Sequence, residues 1–193
     1  MKKILLIIGH PNPSSFNHVI AKQYAEAAQT AGHAVEVLDL QALQFDPILR
    51  HGYAAEQALE PDLRMAQEAI LRADHIVTVF PSWWGTAPAL LKGFIDRCLL
   101  PGFAFKYQSR DTPWWDKLLT GRTAHLIVTM DTPWWYNWLV YGNANIRSMK
   151  AATFQFCGIK KVKVTVFDGV RLSKPEKRAA WLDKTRHLGA AGA

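Results

Sequence analysis

His75-Ile76-Val77-Thr78-Val79-Phe80-Pro81-Ser82-Trp83-Trp84-Gly85-Thr86-Ala87-Pro88-Ala89-Leu90-Leu91-Lys92-Gly93 decides the fold. It opens as a continuous apolar stretch of strand length. From Ala89 to Leu99 apolar residues recur with helical spacing. Two adjacent tryptophans therefore sit at the carboxyl end of a central strand. In an open α/β sheet that edge is where ligands bind. Indoles there are badly placed for a core and well placed to wall a flat aromatic ligand.

Working outward, the same unit recurs. Lys3 to Ile8 is apolar throughout and bounded by Gly9-His10-Pro11, which reads as a strand buried on both faces. Ser14-Ser15 caps a helix to about Ala31, and Gly32 stops it. Ala34 to Leu38 is a second strand. Residues 39–60 are irregular. Asp62 caps a helix to about Arg72, and the helix after the third strand runs Pro88 to Leu99. An aromatic-rich loop fills 100–120. Thr123 to Thr129 is a fourth strand, a helix spans Gly142 or Asn143 to Phe156, and Val162 to Phe167 is a fifth strand. Ser173-Lys174-Pro175-Glu176 opens the last helix. Strand–helix alternation predicts one α/β domain over 1–193, with a parallel sheet and helices on both faces. The leading strand order is the flavodoxin-like 2-1-3-4-5.

Composition narrows the class. Net charge is +7, with the densest basic group at Lys160, Lys161 and Lys163. No nucleic-acid-binding signature accompanies that charge, so no nucleic-acid partner is expected. Cys98 and Cys157 are the only cysteines, which fits a reducing cytoplasm and two buried small hydrophobes. The apolar run Ile4 to Ile8 is too short for a signal core or a membrane span. No His/Cys/Asp/Glu group has metal-ligand spacing. Six of the eight tryptophans come as adjacent pairs: 83–84, 114–115 and 134–135.

In the predicted order, the first, third and fourth strands are neighbours. Their carboxyl-end loops should line one crevice. In the first loop, Ser14, Ser15, Asn17 and free backbone N–H groups stand at a helix N-terminus, the standard place for a phosphate. It is neither a Gly-Lys-Ser/Thr phosphate loop nor a Gly-x-Gly-x-x-Gly fingerprint. Pro11 keeps His10 extended, aimed along the crevice. The second loop is Pro81 to Thr86. The third, Thr129-Met130-Asp131-Thr132-Pro133-Trp134-Trp135-Tyr136-Asn137-Trp138, carries more aromatics than a small core holds. They read as a pocket wall or a subunit interface.

Together these segments resemble the NAD(P)H quinone oxidoreductases, the DT-diaphorase-like flavoproteins. The residues are His10 with Ser15-Phe16-Asn17, Phe80 to Gly85, and Pro88-Ala89-Leu90-Leu91-Lys92-Gly93-Phe94-Ile95-Asp96-Arg97. Gly102-Phe103-Ala104-Phe105 and Phe156-Cys157-Gly158 add to them. The resemblance spans nearly the whole chain. It implies a flavodoxin-like fold, a bound flavin and a homodimer; the paired aromatics put parts of segments 100–116 and 134–141 at or near the subunit interface. His10, Phe16 and Asn17 would match the flavin phosphate and ribityl positions, with Ser14 and Ser15 beside them as the loop's own phosphate donors. Pro81, Ser82, Trp83, Trp84 and Gly85 would line the isoalloxazine edge, with Gly85 letting the backbone approach. Thr129, Met130, Asp131 and Thr132 would face its pyrimidine end.

The implied reaction is ping-pong: NADH or NADPH reduces the flavin, then a quinone or similar flat acceptor takes two electrons. Tyr136 is the candidate proton donor by loop position, with Asn137 beside it. Two departures stand out. Asp131-Thr132 replaces a common glycine pair, and no histidine follows Tyr136 until His187. The larger FAD-using members carry a C-terminal extension that this chain lacks, which favours FMN, with FAD as the alternative. Two other readings keep the fold: a flavoprotein ancillary subunit of a potassium-efflux system, and an electron-transfer flavodoxin. The basic charge counts against the second.

Overall fold

The computed structural model describes residues 1–109 and 111–193. Its first strand, β1 (Lys3–Ile8), shows why the alternation folds as it does. From Ile4 on, every residue of β1 is buried. Leu5 and Ile7 join one core cluster, while Ile4, Leu6 and Ile8 join the other. A strand with both faces covered must be apolar throughout, because its side chains alternate between two interiors. Each such burial contributes roughly 1.5–3 kcal/mol.

The chain continues as α1 (Phe16–Thr30), β2 (Ala34–Asp39), α2 (Pro61–Arg72), β3 (His75–Pro81) and α3 (Ala89–Cys98). A short antiparallel pair follows, β4 (Phe105–Tyr107) with β5 (Trp115–Lys117). Then come β6 (Thr123–Met130), α4 (Trp134–Leu139), α5 (Ala144–Arg147) and a wide-turned π-helical segment (Ser148–Gln155). β7 (Lys161–Asp168) and α6 (Pro175–Ala191) complete it. The five-stranded sheet has the order β2-β1-β3-β6-β7, all parallel. Counting sheet strands alone, this is 2-1-3-4-5, as the sequence predicts. α1 and α6 cover one face; α2, α3 and the 144–155 helix cover the other.

Three local differences have physical reasons. The 100–120 loop contains the β4–β5 hairpin, held because Trp115 stacks on Phe156 at 4.4 Å and donates its indole N–H to the Phe156 carbonyl at 3.0 Å. The loop after β6 turns into α4, whose first N–H, that of Trp134, is satisfied by the Asp168 carboxylate at 2.8 Å. The predicted helix from 142–143 to 156 is real but winds with i to i+5 geometry over Ser148–Gln155, and buries Met149 and Phe154 five residues apart. Both cysteines are buried, which pushes the Cys98 thiol up to about 12 and Cys157 to about 11.

The amino ends of the central strands bury two imidazoles. His75 Nδ1 is 2.6 Å from Thr123 Oγ1, and His125 Nε2 is 2.9 Å from Thr165 Oγ1. The second nitrogen of each ring, His75 Nε2 and His125 Nδ1, is buried without a partner. Burial, with Lys2 nearby, pushes His75 down to about 4, and burial also lowers His125. A group depressed in the folded state loses stability as pH falls from its unfolded value near 6.5. The urea midpoint of the protein should therefore drop between about pH 6.5 and pH 4, with His75 contributing up to about 3 kcal/mol. His75→Asn should lower the midpoint at neutral pH yet flatten that slope. An equally steep slope in the variant would assign the acid sensitivity elsewhere.

Candidate functional site at the carboxyl ends of β1, β3 and β6

The β1–β3 and β3–β6 registers put Ile8 opposite Val79 and Pro81 opposite Thr129, so the three strands end together. Hydrogen bonds then tie their loops into one crevice. Gly9 N–H donates to the Val79 carbonyl at 2.8 Å, and Ser82 N–H to the Thr129 carbonyl at 2.7 Å. Thr129 Oγ1 donates to Asn17 Oδ1 at 3.1 Å, across 112 residues of chain.

The first loop forms the polar floor. Ser15 is the N-cap of α1. The N–H groups of Phe16 and Asn17, at the first two helical positions, have no acceptor within the helix. Asn17 is buried, and its bond from Thr129 turns Oδ1 inward and leaves the amide N–H2 as a donor. The Ser14 hydroxyl stands exposed beside them. His10 Nδ1 accepts the Asn12 N–H at 3.0 Å, so its ring proton lies on Nε2. Burial, and then the neighbouring His18, hold His10 below its ordinary value, keeping it a neutral donor. The side chain of Phe16 turns the other way, onto Trp181 with ring centroids 6.1 Å apart and under Arg178. What Phe16 offers the crevice is its backbone N–H.

The second loop forms a wall. Trp83 and Thr86 exchange backbone hydrogen bonds at 2.9 Å in both directions. Trp84 and Gly85 between them have φ of 51° and 70°. Two positive φ values in a two-residue connection define the type I′ turn. Glycine adopts that backbone freely; tryptophan does so only under strain. Gly85 thus serves the turn, and an added Cβ would meet nothing within 4 Å. Trp83 meets the edge of His10 with centroids 5.3 Å apart. Trp84 is fully exposed on the turn, so within one chain Trp83 is the indole that joins the crevice.

The third loop contributes least of its side chains. Thr129 and Met130 are buried, Thr132 is half-buried, and the Asp131 carboxylate accepts the Arg171 N–H at 2.7 Å. Tyr136 is partly exposed, edge-on to Trp135 and Tyr141. Asn137 is not available as a proton donor. It is buried, and its amide donates to Asn143 Oδ1 at 2.8 Å and Asn145 Oδ1 at 3.4 Å. This clamp fixes the left-handed Asn143, with φ 52°, between α4 and α5.

Sequence reasoning passed over His18 and Asp39. Ser15 Oγ lies 2.9 Å from His18 Nδ1, and His18 Nε2 lies 3.1 Å from Asp39 Oδ2. The available signal was an acid at the carboxyl end of the neighbouring strand. Among the described residues no cluster of acids, histidines and cysteines has metal-binding geometry, and no helix is long and apolar enough to cross a membrane.

A family described as having a flavodoxin-like fold matches residues 2–188. The chain belongs to this family of flavodoxin-like proteins. It is similar to an NAD(P)H oxidoreductase of Haemophilus influenzae whose function is not characterised, 30% identical over 93% of this chain and 90% of that one. It is also similar to NAD(P)H dehydrogenase [quinone] 1 of Cavia porcellus, 28% identical over 97% of this chain and 78% of that protein. The crystal structure of the Streptococcus mutans protein Smu.1420 superposes with a TM-score of 0.83 at 32% identity, covering 98% of this chain and 99% of the other.

Proposed function

We propose that the protein is a flavin-dependent NAD(P)H:quinone oxidoreductase. The observation that carries this is the convergence at one sheet edge of an anion-binding helix start and an indole wall. The donors at Ser14, Ser15, Phe16 N–H, Asn17 and His10 suit a phosphate that needs no lysine. A flavin mononucleotide carries one such phosphate, so FMN is the expected cofactor and FAD the alternative. When bound, the flavin supplies hydride acceptance from a nicotinamide and two-electron delivery to an acceptor.

The residues of the chain do the rest. The α1 start, with Asn17 held by Thr129, would receive the phosphate, and Trp83 against His10 would bound the rest of the cofactor. Donor and acceptor share the remaining space in turn, which gives ping-pong kinetics. Relatives named as quinone dehydrogenases favour this reading over an ancillary subunit of a potassium-efflux system. Anaerobic NADH or NADPH should bleach the flavin-loaded protein, and a quinone should restore the colour. Absence of bleaching by either nicotinamide overturns the proposal. Tyr136→Phe tests whether its hydroxyl assists the acceptor step, and a rate loss below about threefold removes it from the mechanism.

A homodimer accompanies this reading. Trp134, Trp135, Trp138, Leu139, Val140 and Tyr141 are all exposed on and after α4. So many adjacent apolar side chains mark an interaction surface. In segment 100–116, Tyr107 and Trp114 are also exposed, and Arg110 lies outside the described residues. Light scattering should give twice the chain mass, and Trp138→Glu should shift it to the monomer. A monomeric wild type overturns this part.

A further inference from the structure

Behind the anion-binding turn, Ser15 is linked by hydrogen bonds to His18 and Asp39, two residues that the reaction above does not use. Ser15 Oγ is 2.9 Å from His18 Nδ1 and also accepts the His18 backbone N–H at 3.4 Å. His18 Nε2 is 3.1 Å from the Asp39 carboxylate, which only accepts when ionised, so Nε2 carries a proton throughout. A hydroxyl has one proton and two lone pairs. With His18 neutral, Nδ1 is bare and takes the Ser15 proton, leaving an oxygen lone pair toward the turn. With His18 protonated, Nδ1–H and the backbone N–H fill both lone pairs of Oγ. The Ser15 proton must then point outward, alongside the free N–H groups of Phe16 and Asn17.

We propose that His18, seated on Asp39, is a proton-operated positioning residue that switches Ser15 from acceptor to donor toward the phosphate of the bound cofactor. This rests on the flavin reading above. Binding an anion of fixed charge then takes up a proton, and the affinity falls as pH rises.

The charged and titratable groups around His18 fit this assignment. Asp39 faces it from β2. His10 faces it from the first loop, with ring centroids 6.3 Å apart. Lys22 follows one turn along α1 but is paired with Glu26 at 3.8 Å. Two neighbouring imidazoles do not both charge easily. Burial, and then His18, hold His10 below its ordinary value, and of the two rings it is His18 that has a carboxylate, Asp39, against its far nitrogen to balance a charge.

Sulfate is the probe, because its charge is constant across the range whereas a phosphate monoester titrates near pH 6. Binding to the apoprotein is measured from about pH 5.5 to about pH 8.5, with FMN binding in parallel. Wild-type affinity for sulfate should fall about tenfold, in line with one charge-assisted hydrogen bond. His18→Gln should reduce that to less than about threefold, and Ser15→Ala should remove at least half of it on the logarithmic scale. In the wild type, saturating sulfate should raise the titration midpoint of the His18 imidazole proton resonance, because the coupling is reciprocal. Equal slopes in wild type and His18→Gln overturn the switch. So does a full slope in Ser15→Ala, which would leave charge attraction alone. An unmoved His18 midpoint overturns it without any variant. FMN binding with flat slopes sinks the switch only, whereas an apoprotein that takes up neither FMN nor sulfate sinks the phosphate site itself.

Discussion

Arg97→Ala will cost about 3–5 kcal/mol of stability and loosen residues 46–60, the range seen when one partner of a buried ion pair is removed. Arg97 is fully buried, although it lies on the helix after the indole wall. Its guanidinium donates to the Asp46 carbonyl at 2.6 Å, the Ala58 carbonyl at 2.9 Å and both Glu60 oxygens at 2.9 and 3.2 Å. Burial works against the charge on Glu60, but the N–H groups of Glu60 and Asp46 and then Arg97 outweigh it and hold its carboxyl below the usual range. One turn earlier, Gly93 lies so close to Pro47 that an added Cβ would overlap its backbone. Two residues four apart on α3 thus fasten a long irregular segment to the fold. Urea denaturation reads the stability loss, and proteolysis between 46 and 60 reads the loosening. A variant as stable as the wild type would show that the segment is held by its own contacts.

Asn17→Ala will weaken flavin retention about ten- to a hundredfold, corresponding to roughly 1.5–3 kcal/mol for a hydrogen bond to a charged group. Asn17 is the one buried polar side chain at the start of α1, and its partner Thr129 lies at the end of β6. The substitution removes a donor and leaves the Thr129 hydroxyl without its acceptor. Ser15→Ala should act in the same direction and also remove the N-cap of α1, costing about 1 kcal/mol of stability. Fluorescence quenching of FMN by the apoproteins measures both. Unchanged affinity in the two variants would move the phosphate to another place.

The architecture was legible because its signals are local and periodic. β1, β3 and β6 are buried on both faces and cannot be mistaken for amphipathic strands. Ser15 and Gly32 mark the ends of α1 as caps do. The crevice was legible at its backbone, since the strand order dictates which loops meet. Side-chain direction was not. Nothing in the order Trp83-Trp84 says which indole turns inward; that depends on the type I′ turn, a property of φ values. Phe16 looked like a ligand contact, and Trp181, far along the chain, draws it onto α6. Asn137 looked like a proton donor, whereas Asn143 and Asn145 engage it. The His18–Asp39 pair was invisible for the same reason: 21 residues and a strand crossover separate two ordinary polar residues.

The basic group at Lys160, Lys161 and Lys163 leads into and lies along the last strand of the sheet. β7 lies at the margin of the sheet, with Lys161 and Lys163 exposed on it. A parallel sheet ends in a row of unpaired backbone donors and acceptors that a second molecule can extend. Lysines are among the residues that discourage such an approach at an exposed strand, and two of them stand on this one.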